Sequence, residues 1–376
     1  MIKKSEHKDE PMKVSYQKLM EYAFSTLYGL GRRTKQRLLT SFTEEEILTF
    51  SEKEMKTLLS SREWSNYLRY RPLLNIEETM KEWKVLEEKG IHFIYHKDSE
   101  YPEKLKNIPD PPLALFYKGK LPSDEKTIAI VGSRIPTVYG VEMANYFAKE
   151  LGKRGISIIS GMAYGVDVAA HQGALDGGGR TYGILGCGPD IVYPKENFDV
   201  YERMEVQGGI ISEYKPGELP MSYRFPERNR IISGLADGVF VVEAKARSGS
   251  LITADQALEQ GKEVFALPGR ITDPLSEGCN WLIREGARIV TEPNHILEEL
   301  YHLYENNEKN INILDNLLDN REKIVYDCLS LDPKTVEEVI NETNFAVSEV
   351  IGILYRLELN GYIKQVVKNH YIKKLS

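Results

Sequence analysis

The residues best suited to chemistry in this 376-residue chain fall in five short loops, four of which combine glycine with hydroxyl or cationic side chains. They are Gly132-Ser133-Arg134; Gly161 through Gly165 to Asp167 and His171; Gly186-Cys187-Gly188 running on to Tyr193-Pro194; Arg224 through Phe225-Pro226-Glu227-Arg228-Asn229-Arg230; and Glu243 through Arg247, Ser248, Gly249 and Ser250 to Thr253. Glycine lets a backbone approach a ligand closely, free amides and hydroxyls cradle phosphate oxygens, and arginine forks neutralise them. The candidate phosphate contacts are therefore Gly132, Ser133, Arg134, Gly165, Arg224, Arg228, Asn229, Arg230, Arg247, Gly249, Ser250 and Thr253, with Lys245 and Arg270 near the same rim. Several such loops together suit a ligand with several phosphates in a row. Tyr139, Tyr164, Tyr193, Tyr223 and Phe225 lie beside them and offer flat faces to unstacked bases, although each also suits ordinary loop or core packing.

The elements that must position these loops alternate. Apolar, β-branched runs at TIAIVGS, ISIISG, RTYGILG, GGIISEY, GVFVVEA, EVFALPG and ARIVTE read as strands, with helical patterns between them. Nearly all-apolar strands alternating with helices imply a doubly wound, Rossmann-like parallel sheet covered on both faces. Ligands of such sheets bind beyond the carboxyl ends of the strands, where the five loops fall. In the first of them, the amides that open the helix after Gly132 are expected to point outward unpaired, with Ser133 and Arg134 completing a phosphate seat.

Flanking regions have a different texture. From Tyr16 to Gly90 the pattern is helical, and residues 1–95 read as a small all-helical domain. Its Tyr28-Gly29-Leu30-Gly31 turn, followed by Arg32, Arg33, Lys35 and Arg37, resembles the hairpin of SAM- or helix-hairpin-helix-like modules; a plain turn with a solvated basic face fits equally well. Residues 96–305 carry the sheet, and 306–320, rich in Asn and Asp, read as a linker. Three helical patterns and a hairpin turning at Lys368-Asn369 make 321–376 a winged helix. Its third helix offers only Arg356 against Glu349 and Glu358, which favours a protein-contact or structural role over groove binding.

Composition removes several function classes. The hydrophobic share is 41%, the charged share 28% and the net charge −7, ordinary values for a soluble protein. No apolar run approaches the ~20 residues of a membrane span, and the charged start MIKKSEHKDEPMK lacks a signal-peptide core, so a cytoplasmic protein without a membrane partner is expected. Cys187, Cys279 and Cys328 are odd in number and far apart, and the seven histidines are scattered, so neither a disulfide framework nor a metal site is implied. The absence of GxGxxG argues against a dinucleotide cofactor, and none is expected. An enzymatic alternative remains: Asp167 and His171, four apart on a helix, and Glu243 at a strand end could face one cleft as an acid/base set. Asp167 equally suits a helix start and His171 a buried hydrogen-bonding role.

The blocks IVGSR, GMAYGVDVAAH, FPERNRIISGL, VVEAKARSGSLITADQALEQGKEVFALPG and GCNWLIREGA resemble the DprA/Smf family of bacterial DNA-processing proteins almost without interruption from Tyr101 to Glu299. The resemblance implies a non-enzymatic protein that binds single-stranded DNA without sequence specificity on an extended Rossmann-like domain. It also implies dimerisation through that domain and loading of RecA recombinase onto incoming strands during natural transformation and homologous recombination. Gly132, Ser133 and Arg134 then match the family's phosphate turn, Arg228 and Arg230 its basic FPxRNR segment, and Gly249 and Ser250 its glycine-serine turn. Glu227 stands as an acid inside the basic segment. A related Rossmann-like group contains nucleotide phosphoribohydrolases with a PGGxGTxxE signature; this chain has Arg247-Ser248-Gly249-Ser250-Leu251-Ile252-Thr253 and then Ala254-Asp255, with no acid where the catalytic glutamate would sit, yet a nucleotide-binding or nucleotide-cleaving role stays open as the alternative.

Overall fold

The computed structural model describes residues 14–70, 75–123, 125–305, 319–329, 333–360 and 362–373. Two compact units are present, Met1–Ile296 and Leu297–Ser376. Of the expected linker, residues 306–318 lie outside the described residues.

The first unit begins with helices α1 (Tyr16–Thr26), α2 (Arg32–Leu39), α3 (Glu44–Thr49), α4 (Glu52–Leu58), α5 (Ser61–Tyr70) and α6 (Ile76–Glu88). Strands β1 (His92–Tyr95) and β2 (Ala114–Gly119) flank the short helix α7 (Glu103–Lys106). Then follow β3 (Thr127–Val131), α8 (Val138–Lys153), β4 (Ser157–Ser160), α9 (Val166–Asp176), β5 (Thr181–Leu185), α10 (Phe198–Gln207), β6 (Gly208–Ser212), α11 (Arg224–Leu235) and β7 (Gly238–Val241). The series closes with α12 (Gly249–Glu259), β8 (Glu263–Ala266), α13 (Glu277–Arg284) and β9 (Arg288–Ile289), and α14 (Pro293–Glu305) runs across the boundary at Ile296.

The strands form one sheet in the order β1-β2-β6-β5-β4-β3-β7-β8-β9. From β6 to β9 every pairing is parallel, whereas β2 pairs antiparallel with both β6 and β1. Successive residues feed opposite faces. Ile184, Ile211, Val239 and Val241 join a core under α11, α12 and α13, while Leu185 and Ile210 join one under α9 and α10, and Phe240 meets Phe147 of α8 at 4.8 Å. Burial on both sides is why these strands read as unbroken apolar runs. The chain winds outward from β3 through β4, β5 and β6, then returns to place β7 on the other side of β3. The reversal of strand order lies between β3 and β7, where such sheets bind ligands.

Residues 92–95, grouped from sequence with the helical segment by the 1–95 boundary, are the edge strand of the sheet; they pair antiparallel with β2, and burial deepens from exposed His92 to buried Ile94 and Tyr95. The N-terminal helices cover this antiparallel extension. Tyr22 packs edge-on against Phe93 at 5.4 Å, Trp83 at 5.7 Å and Phe116 at 6.0 Å. A polar seam runs alongside. Arg32 pairs with Asp110 at 2.5 Å and with Glu213 at 3.3 Å, and the buried Arg230 donates to both Glu213 oxygens at 2.7 Å. The basic side chains after Gly31 are thus largely spent within the protein: Arg32 in this network, Arg37 on the Leu58 carbonyl and Glu63, and Lys35 buried against the Ser25 carbonyl at 2.6 Å.

The second unit holds α15 (Asn320–Asp327), α16 (Val336–Thr343) and α17 (Val347–Leu359), with β10 (Lys334–Thr335), β11 (Ile363–Val367) and β12 (His370–Lys373) in the order β10-β12-β11. Asn369 takes a φ of 64° at the hairpin turn. This is a winged helix, and Arg356 of α17 pairs with Glu322 at 2.6 Å. The outward face of α17 carries the exposed Val347, Ile351, Tyr355 and Leu359. Among the described residues of the whole chain no helix is long and apolar enough to cross a membrane.

Burial, partly offset by Glu213, pulls the Lys35 pKa from 10.5 down to about 7. Between those values the unfolded chain binds more protons than the folded one, so stability rises with pH across that window and carries the full penalty below it. Lys35→Met is expected to remove this rise, raising the urea midpoint more at pH 7 than at pH 10; equal shifts at both pH values would contradict the burial argument.

Candidate nucleic-acid interface

The loops after β3, β4, β5, β6, β7 and β8 share one rim at the carboxyl ends of the parallel strands. From β7 to β6 it spans four strand spacings, roughly 19 Å. Within it the turn after β3 is held from below. Gly165 opens α9 with a φ of 78°, and a Cβ there would lie 2.5 Å from the Ser133 carbonyl, which accepts the Val166 N–H at 3.1 Å. Ser133 Oγ accepts the Ile135 N–H at 3.1 Å. The turn therefore projects Arg134 and Ile135 outward, and both are exposed.

The opening of α8 is not a vacant anion seat. Thr137 Oγ1 accepts the Gly140 N–H at 3.0 Å, and the buried Glu243 carboxylate accepts from the Thr137 N–H at 2.9 Å and from its hydroxyl at 2.5 Å. A protein carboxylate already satisfies the positive end of the helix, which corrects the expectation of outward, unpaired amides. The anion-attracting group that remains at this turn is Arg134. Its guanidinium lies 5.1 Å from the centre of the Phe225 ring, which stacks on Tyr193 at 5.8 Å and 23°. No carboxylate pairs with Arg134 among the described residues.

Arg228 has a different place from the one its sequence context suggests. It is 4% exposed, and its Nη1 donates to the Gly161 carbonyl at 2.6 Å and to the Ile184 carbonyl. Gly161 is required here, since a Cβ would lie 2.6 Å from both Arg228 Nη2 and Asp167 Oδ2. Burial pulls the guanidinium down to about 10, so it stays charged at neutral pH. Burial pushes the Asp167 carboxyl above its ordinary value, and Arg228 pulls it back. Arg228 thus ties the ends of β4 and β5 to the start of α9, and Arg230 is held in the carboxylate seam; neither presents its cation on the rim. The segment instead exposes Pro226 and Glu227, the latter accepting the Tyr214 hydroxyl at 3.1 Å.

The remaining candidates divide similarly. Arg247 and Gly249 are exposed, as are Lys245 and Arg270. Ser250 and Thr253 are buried, and Ser248 caps α12 by accepting the Ser250 N–H at 3.3 Å. Asn229 is half-buried, bridging the Arg228 Nε at 3.2 Å and the Gly249 carbonyl at 3.4 Å. Arg224 donates to the Leu219 carbonyl at 2.9 Å, pairs with Glu218, and lies over the rings of Tyr214 at 4.4 Å and Tyr223 at 5.8 Å. Of the aromatic set, Tyr139, Tyr164, Tyr193 and Tyr223 are all exposed, Tyr164 donating to Glu196 at 2.7 Å. Sequence reasoning missed Lys215, whose Nζ sits 5.1 Å over Tyr28, because nothing local ties a residue after β6 to a turn in the N-terminal helices.

An acid/base cleft is not assembled by the three residues proposed for one. His171 is fully buried with Nδ1 2.7 Å from Thr181 Oγ1. The Thr181 hydroxyl donates to the Ile158 carbonyl at 2.9 Å, so the histidine is the donor, and burial pulls its pKa down to about 3. Glu243 caps α8 and Asp167 faces Arg228. Among the described residues no cluster of His, Cys, Asp and Glu could hold a metal ion.

A mostly parallel sheet wound to both sides of β3, with exposed cations and aromatic rings at its strand ends, defines a Rossmann-like protein. Residues 92–301 match the profile of the family described as DNA recombination-mediator protein A, and residues 315–367 match the DprA winged helix domain. The chain belongs to this DprA/Smf family. It is 40% identical to Protein Smf of Escherichia coli K12 over 320 residues, covering 83% of this chain and 84% of that protein. It is 45% identical to the DNA processing protein DprA of Bacillus subtilis over 215 residues, 57% of this chain and 72% of the relative. The crystal structure of Streptococcus pneumoniae DprA superposes with a TM-score of 0.65 at 35% identity, covering 77% of this chain and 99% of that one. A Helicobacter pylori DprA structure, described for its single-stranded DNA binding mode, gives a TM-score of 0.50 at 30% identity over 57% of this chain and 97% of that one.

Arg228→Met strands two carbonyls and a buried carboxylate, and is expected to cost about 3 kcal/mol in urea unfolding. Arg134→Ala, at the surface, should stay within about 0.5 kcal/mol of wild type. A reversed ranking would place Arg228, not Arg134, at the surface.

Proposed function

We propose that this protein binds single-stranded DNA along the strand-end rim without reading its sequence, and loads RecA recombinase onto it during DNA uptake and homologous recombination. The observation that carries the reading is Arg134: a cation without a carboxylate partner among the described residues, set on an aromatic platform at the reversal of strand order. Arg247, Lys245 and Arg270 extend the positive rim, and Gly132, Ser133, Gly165, Asn229, Gly249, Ser250 and Thr253 shape the turns that carry it. Exposed aromatic rings address the π-faces of bases, which every base has, and cations address phosphates, which every nucleotide has. Neither discriminates sequence.

The H. pylori relative's described single-stranded DNA binding supports this reading, as does the geometry, since a stiff duplex cannot follow several separate loops. Binding without catalytic turnover fits a rim whose acids are committed to capping and internal ion pairs. A homodimer would present two rims to one long strand and gain avidity that a short oligonucleotide cannot show. The winged helix, with α17 apolar on its outward face and Arg356 already paired, fits contact with protein better than with a DNA groove.

Equilibrium binding of a labelled thymidine oligonucleotide and of a matching duplex, across a salt series, tests the reading. The single strand should bind tighter, with log affinity falling against log salt by ~0.7 per phosphate neutralised. Arg134→Ala should weaken binding and make that slope shallower by about 0.7. An unchanged slope in the variant, or preference for duplex, would sink the assignment.

A further inference from the structure

We infer that the single strand's path does not end at the sheet but continues onto the N-terminal helical region, through a base-accepting groove between the β6–α11 connection and the Tyr28 turn. The inference rests on the rim reading above and extends it to a part of the chain outside the sheet.

The groove is about 530 Å³ in volume and open to solvent, with Tyr28, Met221 and Tyr223 among its walls. All three are exposed, as is Leu219, so a cluster of large apolar surfaces stands unpartnered beside a candidate DNA interface. Its cations lie over rings rather than free in solvent. Lys215 Nζ, ion-paired with Glu82 at 2.7 Å, is 5.1 Å from the Tyr28 ring centre, and Arg224, paired with Glu218, lies over Tyr223. On the far side Tyr28 meets Tyr70 at 5.7 Å, and Arg69 lies over Tyr70 at 5.7 Å.

Continuity with the rim is covalent and hydrogen-bonded. Arg224 opens α11, whose next residue, Phe225, is the platform under Arg134. The Gly188 N–H, in the loop that carries Tyr193, donates to the Glu218 carbonyl at 2.8 Å and fixes the groove's floor to the end of β5. Cations and aromatic rings therefore alternate in one file: Arg134, Phe225 and Tyr193, then Arg224 and Tyr223, then Lys215, Tyr28, Tyr70 and Arg69. Alternating positive charge and flat rings is what a flexible chain of phosphates and unstacked bases fits, and a folded protein partner has no need of it.

Charge selects what enters the groove. Glu218 is the one carboxylate among its lining residues, and it is held by Arg224 and by the Tyr28 hydroxyl. An acid on the floor keeps phosphates at the mouth, where Lys215 would exchange its Glu82 pair and Arg224 its Glu218 pair for them, and leaves the apolar walls to the base. The Tyr28-Gly29-Leu30-Gly31 turn then contributes a ring to DNA binding. Its glycine does not offer backbone to phosphate: Gly29 packs against the Asn66 backbone, where a Cβ would lie 2.5 Å from the carbonyl oxygen.

Oligothymidines of about 6 and about 20 nucleotides, bracketing typical single-strand site sizes of ~4–16, separate the two parts of the path. Tyr28→Ala and Met221→Glu should each weaken the long strand by about five- to tenfold and leave the short one unchanged, while Tyr28→Phe, which keeps the ring and loses the bond to Glu218, should bind like wild type. Arg134→Ala should weaken both lengths. If Tyr28→Ala leaves the long strand unaffected, lowers both lengths equally, or is matched by Tyr28→Phe, the extension is wrong while the rim stands. If wild type binds neither length, the rim reading fails and the extension falls with it.

Discussion

The strand-end rim depends on one buried cation. Arg228 reaches under the rim to hold two main-chain carbonyls, one at the end of β4 and one in β5, and faces the only acid at the start of α9 that could offset its charge. Removing a guanidinium from water is costly unless its donors and charge are met, and here carbonyls and Asp167 meet them. The close approach works because residue 161 has no side chain. With the ends of β4 and β5 locked, the loops above them hold a fixed spacing, and Arg134 and Phe225 can face one another across the reversal of strand order.

The same economy governs the acids. Glu243 sits where a free phosphate would be drawn to the opening of α8, and it takes the Thr137 amide and hydroxyl for itself. The deepest point of the turn is thus occupied by a carboxylate, and the cation left exposed there is Arg134. Glu213 and Asp110 do comparable work at the other end of the rim, gathering Arg32 and Arg230 into the seam between the helical segment and the sheet. A protein of net charge −7 keeps exposed cations such as Arg134 at its strand ends while Glu243, Glu213 and Asp110 lie beneath them, with Glu227 the exposed acid of the FPERNR segment.

Much of this was legible in the sequence. Unbroken apolar runs such as TIAIV and GVFVV exposed the two-sided burial of β3 and β7, and hence the parallel sheet, while the hairpin at Lys368-Asn369 marked the wing. The loops that form the rim could be found because glycine at a strand end leaves a plain signal. What could not be read was the direction of each side chain. FPERNR presents three cationic or amide residues in a row of type, yet helical geometry turns Arg228 and Arg230 inward and Glu227 outward, and no local pattern distinguishes a basic residue that greets a ligand from one that pins a carbonyl. The antiparallel addition of β1 and β2 was equally hidden, since pairing across about a hundred residues leaves no trace in a window of ten.

That last property has a temporal side. An interior strand of the sheet, β3, needs β7 as its neighbour, and the Asp237 amide reaches back to the Thr127 carbonyl across 110 residues of chain. A ribosome adding about 5–20 residues per second leaves one edge of β3 open for roughly 5–20 s after it has emerged. During that interval β3, β4, β5 and β6 can pair, but the β7-facing edge of β3, a strand buried throughout in the folded chain, stays uncovered, and neither Arg228 nor the rim it supports exists until α11 arrives. The nascent chain therefore passes through a stage in which β3 to β6 can be paired while the strand-end rim is incomplete and one edge of β3 lacks its neighbour, a stage whose length is set by how fast translation crosses the stretch between β6 and β7.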